Sequence, residues 1–388
     1  MTAAENSPFE TIRNEFPHTE NLVYLNSASY GPYSTRVRDA LNEHIDARVD
    51  SQADKTSETF ALRGSLREDY AALIGAEPGQ IGIGLNTSFG LNVAAYGLPL
   101  EPGDEILVSD IEFPAIIYTF RAAAETRGLK LNIVPSKDRR FDFDALKKAV
   151  TKRSRVLAIS WVQFFNGYKT DLTRLRDFCR ENNLFFVVDG IQGTGIEPID
   201  VRRLDIDIFT TGCQKWLLAP QGCGFFYISD RVRDQLAMPS ASWLGVDWKM
   251  DFGDLFKFDL DFYDTAERFE MGYYVELNLI GMNASVQIFR ELGVDHIREH
   301  NYALIDRLAD YISKSDYYEI TSSLKPEHRS SIFTFTCDNY QAAHKELYRN
   351  KIVCVHREGS IRISTHLFNN QHDIDRVIAI LDKIAASA

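Results

Sequence analysis

The chain has 388 residues and carries 43 lysines and arginines against 55 aspartates and glutamates, a formal net charge of −12. Apolar residues make up 45% and charged residues 25%, enough to build a large core, which excludes a disordered tail protein. The acidic balance lacks the basic footprint of a nucleic-acid binder, and no apolar run approaches the ~18 residues of a membrane span. Met1 to Phe16 has no basic stretch followed by an apolar one, so no signal peptide is expected. The cysteines (Cys179, Cys213, Cys223, Cys337, Cys354) are odd in number, scattered and without a CxxC pair, the pattern of a reduced, cytoplasmic protein. The length suits two or three domains, or one large α/β body with an appendage.

Apolar spacing predicts a helix over 35–50, started by Pro32 and Ser34. Residues 81–98 read as a short strand, a polar turn and a helix. A buried strand over 105–110 is followed by a helix over 116–128 that ends at a capping glycine. The rhythm repeats through LKLNIVPS, FDALKKAVTKR and RVLAISWVQF. A helix over 171–183 then leads into strands at 184–190, 207–212 and 224–229. Continuous apolar strands alternating with helices predict a mostly parallel sheet covered on both faces. After about residue 255 the pattern changes to a long helical stretch, 276–314, four alternating segments (EITSS, SIFTFTC, KIVCVHR, SIRISTH) and a final helix, 373–386. That is a smaller α+β unit.

Several motifs fail. The GIG at 82–84 meets Thr87, and the GTG at 193–195 meets Pro198, where a dinucleotide fingerprint needs glycine. GYKT at 167–170 lacks the first glycine of a P-loop, and no GxSxG elbow exists. His296 and His300 stand one helical turn apart without an acidic third ligand, as on a solvated helix face.

One constellation remains. Asp189 ends the strand LFFVVD, where open α/β sheets place their ligands, and begins the run Asp189-Gly-Ile-Gln192. Lys215 follows the next buried strand and precedes Trp216 and a Pro/Gly-rich turn. A lysine there is costly unless it faces a cavity, and desolvation brings its amine toward usable basicity. An acid and a lysine at neighbouring strand ends are what an aldehyde cofactor with a pyridinium nitrogen requires.

With these residues the chain resembles the class V aminotransferase family of fold-type I pyridoxal 5′-phosphate (PLP) enzymes, which includes cysteine desulfurases, selenocysteine lyases, kynureninase and isopenicillin N epimerase-like proteins. The resemblance runs from Tyr24-Leu-Asn-Ser-Ala-Ser to Arg362-Ile-Ser-Thr-His. It implies a large domain with a mostly parallel sheet between helices over 20–257 and a smaller α+β domain over 258–388, with 1–19 packed near it. It also implies a homodimer with shared active sites, acting on a small amino acid and not on nucleic acid or membrane.

By the same resemblance, Lys215 forms the Schiff base with PLP and moves the proton at Cα. Asp189 pairs with the pyridine nitrogen, and Gln192 meets the phenolic oxygen. Thr87 and Ser88, at a strand-to-helix turn suited to phosphate, hold that group together with Gln214. Phe113 stacks on the ring. Arg362 grips the substrate α-carboxylate, a task suited to the planar guanidinium. Asn26 and Ser27, with Ala28, line the substrate cavity. The family's cofactor-side asparagine falls at Phe164 or at Asn166. Arg268-Phe-Glu-Met-Gly272 resembles the segment that reaches the partner's phosphate, with Tyr273 where desulfurases place threonine.

The sequence departs from the desulfurases at Cys354. Only seven residues separate it from Arg362, too few for a nucleophile-bearing loop, and it lies in the apolar run Ile-Val-Cys-Val. Elimination or C–S cleavage on a cysteine-like substrate is therefore the leading expectation. Transamination comes second and epimerisation third, and a non-catalytic PLP-fold protein last.

Overall fold

The computed structural model describes residues 7–50, 56–249, 251–272 and 276–387; Tyr273 lies outside them. The strands in chain order are β1 (Val23–Tyr24), β2 (Ile81–Gly84), β3 (Glu105–Ser109), β4 (Lys130–Val134), β5 (Ser154–Ser160), β6 (Phe185–Asp189), β7 (Ile208–Gly212) and β8 (Gly224–Ile228). The C-terminal part adds β9 (Glu319–Ile320), β10 (Ile332–Thr336), β11 (Ile352–Val353), β12 (Val355–Arg357) and β13 (Ser360–Ser364).

Strands β2 to β8 form one sheet in the order β2-β8-β7-β6-β5-β3-β4. β4, β3, β5, β6 and β7 run parallel; β8 is antiparallel to both β7 and β2. The mostly parallel sheet expected from the apolar runs is present. Both faces are buried because successive side chains point to opposite sides. Leu107, Phe186, Val188 and Phe209 join one core, with helices Thr56–Ile74 and Glu276–Leu292. Ile106, Val108, Val187 and Ile208 join the other, with helices Thr87–Gly97 and Pro114–Arg127.

The small sheet has the order β12-β13-β10-β9, and β1 pairs in parallel with β11. Its core takes Ile361, Ile363, Phe333 and Phe335 together with the second half of helix Val294–Ser313 and helix Gln371–Ala386. The buried clusters divide the chain differently from a single cut at 257/258. Leu279 to Ile297 pack with the large sheet, whereas Val23 and Leu25 pack with the small one. The N-terminal helix Pro8–Arg13 is tied to the last helix: the Arg13 guanidinium meets Asp373 at 2.7 Å and also bonds the Phe368 carbonyl. His300, expected on a solvated face, is half-buried because its ring stacks on Phe9 at 4.0 Å. Among the described residues no helix is long and apolar enough to cross a membrane.

Candidate active site

The C-terminal ends of β5, β6 and β7 place Ser160, Asp189 and Thr210 side by side. Asp189 is only 2% exposed, and its Oδ1 accepts from the Ile191 N–H at 2.9 Å. Burial pushes the carboxyl up to about 6, while that N–H and the Lys215 charge pull it back. Lys215 sits past the end of β7, partly exposed to the cleft, with Nζ 5.4 Å from the Phe113 ring centre. Burial brings its ammonium down to about 8; Asp189 opposes this, and Arg362 and Arg357 reinforce it. At physiological pH most of the lysine is still protonated, but the neutral amine that a nucleophile requires is reached within about one pH unit.

The segment Asn26–Gly31 joins the two sheets at this point. Ala28 N donates to Ser364 Oγ at 3.1 Å, Ala28 O accepts from Gln192 Nε2 at 3.0 Å, and Gly31 N donates to Gln214 O at 2.8 Å. A Cβ on Gly31 would lie 2.2 Å from the Lys215 carbonyl, so only glycine permits this approach. Gln192 Oε1 accepts from the Trp216 indole at 2.9 Å, which fixes its amide and leaves one Nε2 hydrogen free.

Thr87 starts helix Thr87–Gly97 and is held beside β7 by Thr210 Oγ1, which donates to Thr87 O at 2.9 Å. Asn86 caps that helix through the Phe89 N–H, and Ser88 follows in the first turn. Thr87 Oγ1 and Gln214 Oε1 are buried and have no hydrogen-bond partner among the described residues. A helix N-terminus with an orphaned hydroxyl beside it fits an anion such as phosphate.

Arg362 lies on β13, opposite Val355 and Thr334. It is 2% exposed, bonds the Phe164 carbonyl and Ser29 Oγ (2.6 Å), and pairs with no carboxylate among the described residues. Burial, with Arg357 nearby, draws its proton affinity down to about 9. Its Nε is buried without a partner, as are Asn26 Oδ1 and Ser27 Oγ. A buried cation without an anion is unfavourable unless a ligand completes it. Taken together, the donors fit a phosphorylated pyridine aldehyde at Asp189, Thr87 and Lys215, and a carboxylate at Arg362.

Of the expected site residues, Asn166 does not join this group. Its Nδ2 donates to Arg139 O at 2.9 Å and its Oδ1 accepts from Tyr168 N at 3.1 Å, so the amide links its own turn to the segment at Arg139. Phe164 is the one at the site, with its ring edge-on to Phe113 at 5.1 Å and its carbonyl on Arg362. In the segment expected to reach a partner, Arg268 turns inward to the Arg233 carbonyl, and Glu270 is buried against Arg63 and Arg67. Three further residues shape the site. Ser29 and His366 lie inside runs that the resemblance already quoted, and Glu112 precedes Phe113. The neutral His366 ring donates from Nε2 to Trp216 O (2.8 Å) and accepts from Leu367 N at Nδ1; burial takes it down to about 3, although the bond to Trp216 pulls the other way. Glu112 accepts from Ser160 N (2.9 Å) and Gln163 Nε2 (3.0 Å); burial pushes it up to about 7.

Asp189→Asn is expected to lower turnover by roughly 10²-fold or more, since a preorganised charge at a developing cation is lost. In the wild type, cofactor affinity should fall as pH drops through about 6, where Asp189 takes up a proton. The asparagine variant should lose that pH dependence. Absorbance titrations of both proteins from about pH 5 to 8 test this, and a parallel pH profile in the variant would remove Asp189 from the role.

Comparison with known proteins shows the same arrangement of chain. The uncharacterized aminotransferase YcbU of Bacillus subtilis is 22% identical, with 97% of each chain covered. The fold matches the crystal structure of the cysteine desulfurase CsdA of Escherichia coli with a TM-score of 0.84, at 22% identity and 98% and 99% coverage. It also matches the cystine C–S lyase C-DES, in complex with its product cysteine persulfide, with a TM-score of 0.86, at 21% identity and 95% and 99% coverage. The family model for class-V aminotransferases matches residues 23–377, nearly the full length, and the chain belongs to that family.

Proposed function

We propose that the protein is a PLP-dependent C–S lyase that eliminates the sulfur-bearing group of a cysteine-like α-amino acid. The observation that carries the choice of reaction is the state of the cysteines. All five are unpaired and buried. Cys354, the nearest in sequence to Arg362, is 4% exposed in the small-domain core, and burial pushes its thiol up to about 12. A thiol held neutral and out of solvent is a poor acceptor of sulfur, so transfer to an enzyme cysteine is disfavoured and release into solution is favoured. The likeness of fold to a cystine C–S lyase supports this reading.

The cofactor, when bound, supplies an aldehyde for the amino group and an electron-withdrawing ring. Lys215 Nζ would anchor it and would take the proton from the substrate Cα; an amine with a proton affinity near 8 suits that task at neutral pH. Asp189 would keep the ring nitrogen protonated. Thr87, Ser88 and Gln214 would hold the phosphate, Gln192 would offer its spare hydrogen to the ring oxygen, and Phe113 would pack on the ring. Arg362, with Asn26 and Ser27 beside it, would fix the α-carboxylate and so the orientation of the bonds at Cα. The enzyme is a cytoplasmic homodimer in this reading. Phe256 and Phe258, 84% and 87% exposed, supply apolar surface for a partner.

The test is a substrate panel of cysteine, cystine and S-substituted cysteines, with and without a 2-oxo acid. Pyruvate and ammonia should appear without the oxo acid. A strict need for an oxo-acid acceptor would establish transamination, and loss of chirality without product release would establish epimerisation.

A further inference from the structure

One cation beside this site is not used by the reaction just described. β12 and β13 are joined by the turn Glu358–Gly359, whose φ values of +47° and +83° are those of a tight two-residue hairpin. The turn sets Val355 opposite Arg362 and Arg357 opposite Ser360. Residues directly opposite share a face, as do alternate residues along a strand, so Arg357 and Arg362 project from the same face of the small sheet. They are diagonal neighbours, about 7–8 Å apart along the backbone. The other face, with Ile361 and Ile363, is sealed in the small-domain core.

Arg362 is buried, whereas Arg357 stands exposed at the open end of the same face. It forms no ion pair among the described residues, although the chain carries an excess of carboxylates. Its charge lowers the proton affinity of both Lys215 and Arg362. The hairpin end is held in position. Arg139 Nη1 donates to Glu358 O at 2.7 Å, and Arg139 is itself fixed through its carbonyl by Asn166 and by its guanidinium, 5.0 Å over the Phe165 ring. Asn166 thus contributes to the site indirectly, by keeping that clasp in place.

We propose that Arg357 is a specificity-determining residue that receives a second anionic group at the far end of the substrate's β-substituent. The preferred substrates are then disulfides or thioethers of cysteine that end in a carboxylate. A ligand whose α-carboxylate lies on Arg362 and whose chain runs along this face reaches Arg357 with its tip. The inference rests on the assignment of Arg362 to the α-carboxylate.

The experiment uses two amino acids of equal length that have no leaving group, aminopimelate with a terminal carboxylate and aminoheptanoate without one. Both are titrated calorimetrically into the cofactor-loaded wild type and into Arg357→Gln. The wild type should bind the diacid tighter by on the order of tenfold, as a charge-assisted contact implies. That preference should shrink with added salt. In Arg357→Gln the ratio of the two affinities should collapse toward one, with Arg357→Lys in between. Equal binding by the wild type, or an unchanged ratio in Arg357→Gln, would overturn the proposal. Pyruvate release from acid-tipped cysteine derivatives is scored separately. A diacid preference without elimination refutes the lyase reading alone, and elimination without the preference refutes the role of Arg357 alone.

Discussion

Lys215→Ala is expected to abolish turnover, by at least about 10³-fold, the upper part of what a positioned proton donor and acceptor contributes. Borohydride should fix the cofactor to the Lys215 peptide in the wild type and to no peptide in the variant. The same substitution should stabilise the cofactor-free protein at neutral pH. The lysine's proton affinity falls from 10.5 to about 8 on folding, so between these values the unfolded chain holds a proton that the folded chain does not. The penalty is fully present below about pH 8 and vanishes above 10.5. At 1.36 kcal/mol per unit it is at most about 3 kcal/mol, reduced by the packing of the lost aliphatic stem. Denaturant melts of the two apoproteins at about pH 7 and at about pH 11 should therefore differ at the first value and converge at the second. A variant that still turns over substrate at an appreciable rate, or a lysine peptide other than that of Lys215 in the borohydride digest, would move the chemistry elsewhere.

The large sheet was legible in the sequence because its central strands β3, β5 and β6 are almost wholly buried and read as apolar runs, whereas the edge strand β4 is largely open and mixed in polarity. The strand ends were legible for the same reason: a polar residue such as Asp189 after five apolar ones marks where the sheet meets ligand. The boundary between cores was less so. Helix Glu276–Leu292 has an ordinary amphipathic face, and nothing in its spacing says whether that face meets the large sheet or the small one. Arg362 was legible only through its resemblance to a family, because an arginine in a short alternating strand is usually exposed; its burial is a property of the fold around it. Asn166 shows the converse. Its residue type suits a ligand contact, yet its amide is held by the Arg139 carbonyl at one end and the Tyr168 N–H at the other. Arg357 was read only as part of KIVCVHR, and it gains meaning from the hairpin register, which a sequence of alternating residues does not specify until the turn is known.

Arg362→Met is expected to cut kcat/KM for α-amino acids by roughly 10²- to 10³-fold, the effect of about 3–5 kcal/mol when one partner of a buried charge pair is removed. Arg362→Lys should recover only part, since an ammonium cannot reproduce the planar two-pronged contact with a carboxylate. An amine that lacks the carboxylate should react equally slowly with wild type and Arg362→Met, which separates loss of a substrate contact from damage to the cofactor site. Stability should move the other way. The folded apoprotein holds this guanidinium at 2% exposure with, among the described residues, the Phe164 carbonyl and Ser29 Oγ as its hydrogen-bond partners. Replacing an uncompensated buried charge by an apolar side chain of similar length should therefore stabilise the apoprotein by about 1 kcal/mol or more. In the wild type, an α-amino acid should raise the melting temperature through the same contact, and Arg362→Met should lose that gain. A structural arginine would behave oppositely: its removal would destabilise the apoprotein by several kcal/mol and affect amine and amino-acid substrates alike. The two sets of outcomes do not overlap, so melting curves and a pair of substrates decide whether Arg362 is held in strain for a ligand or serves only to join the two domains.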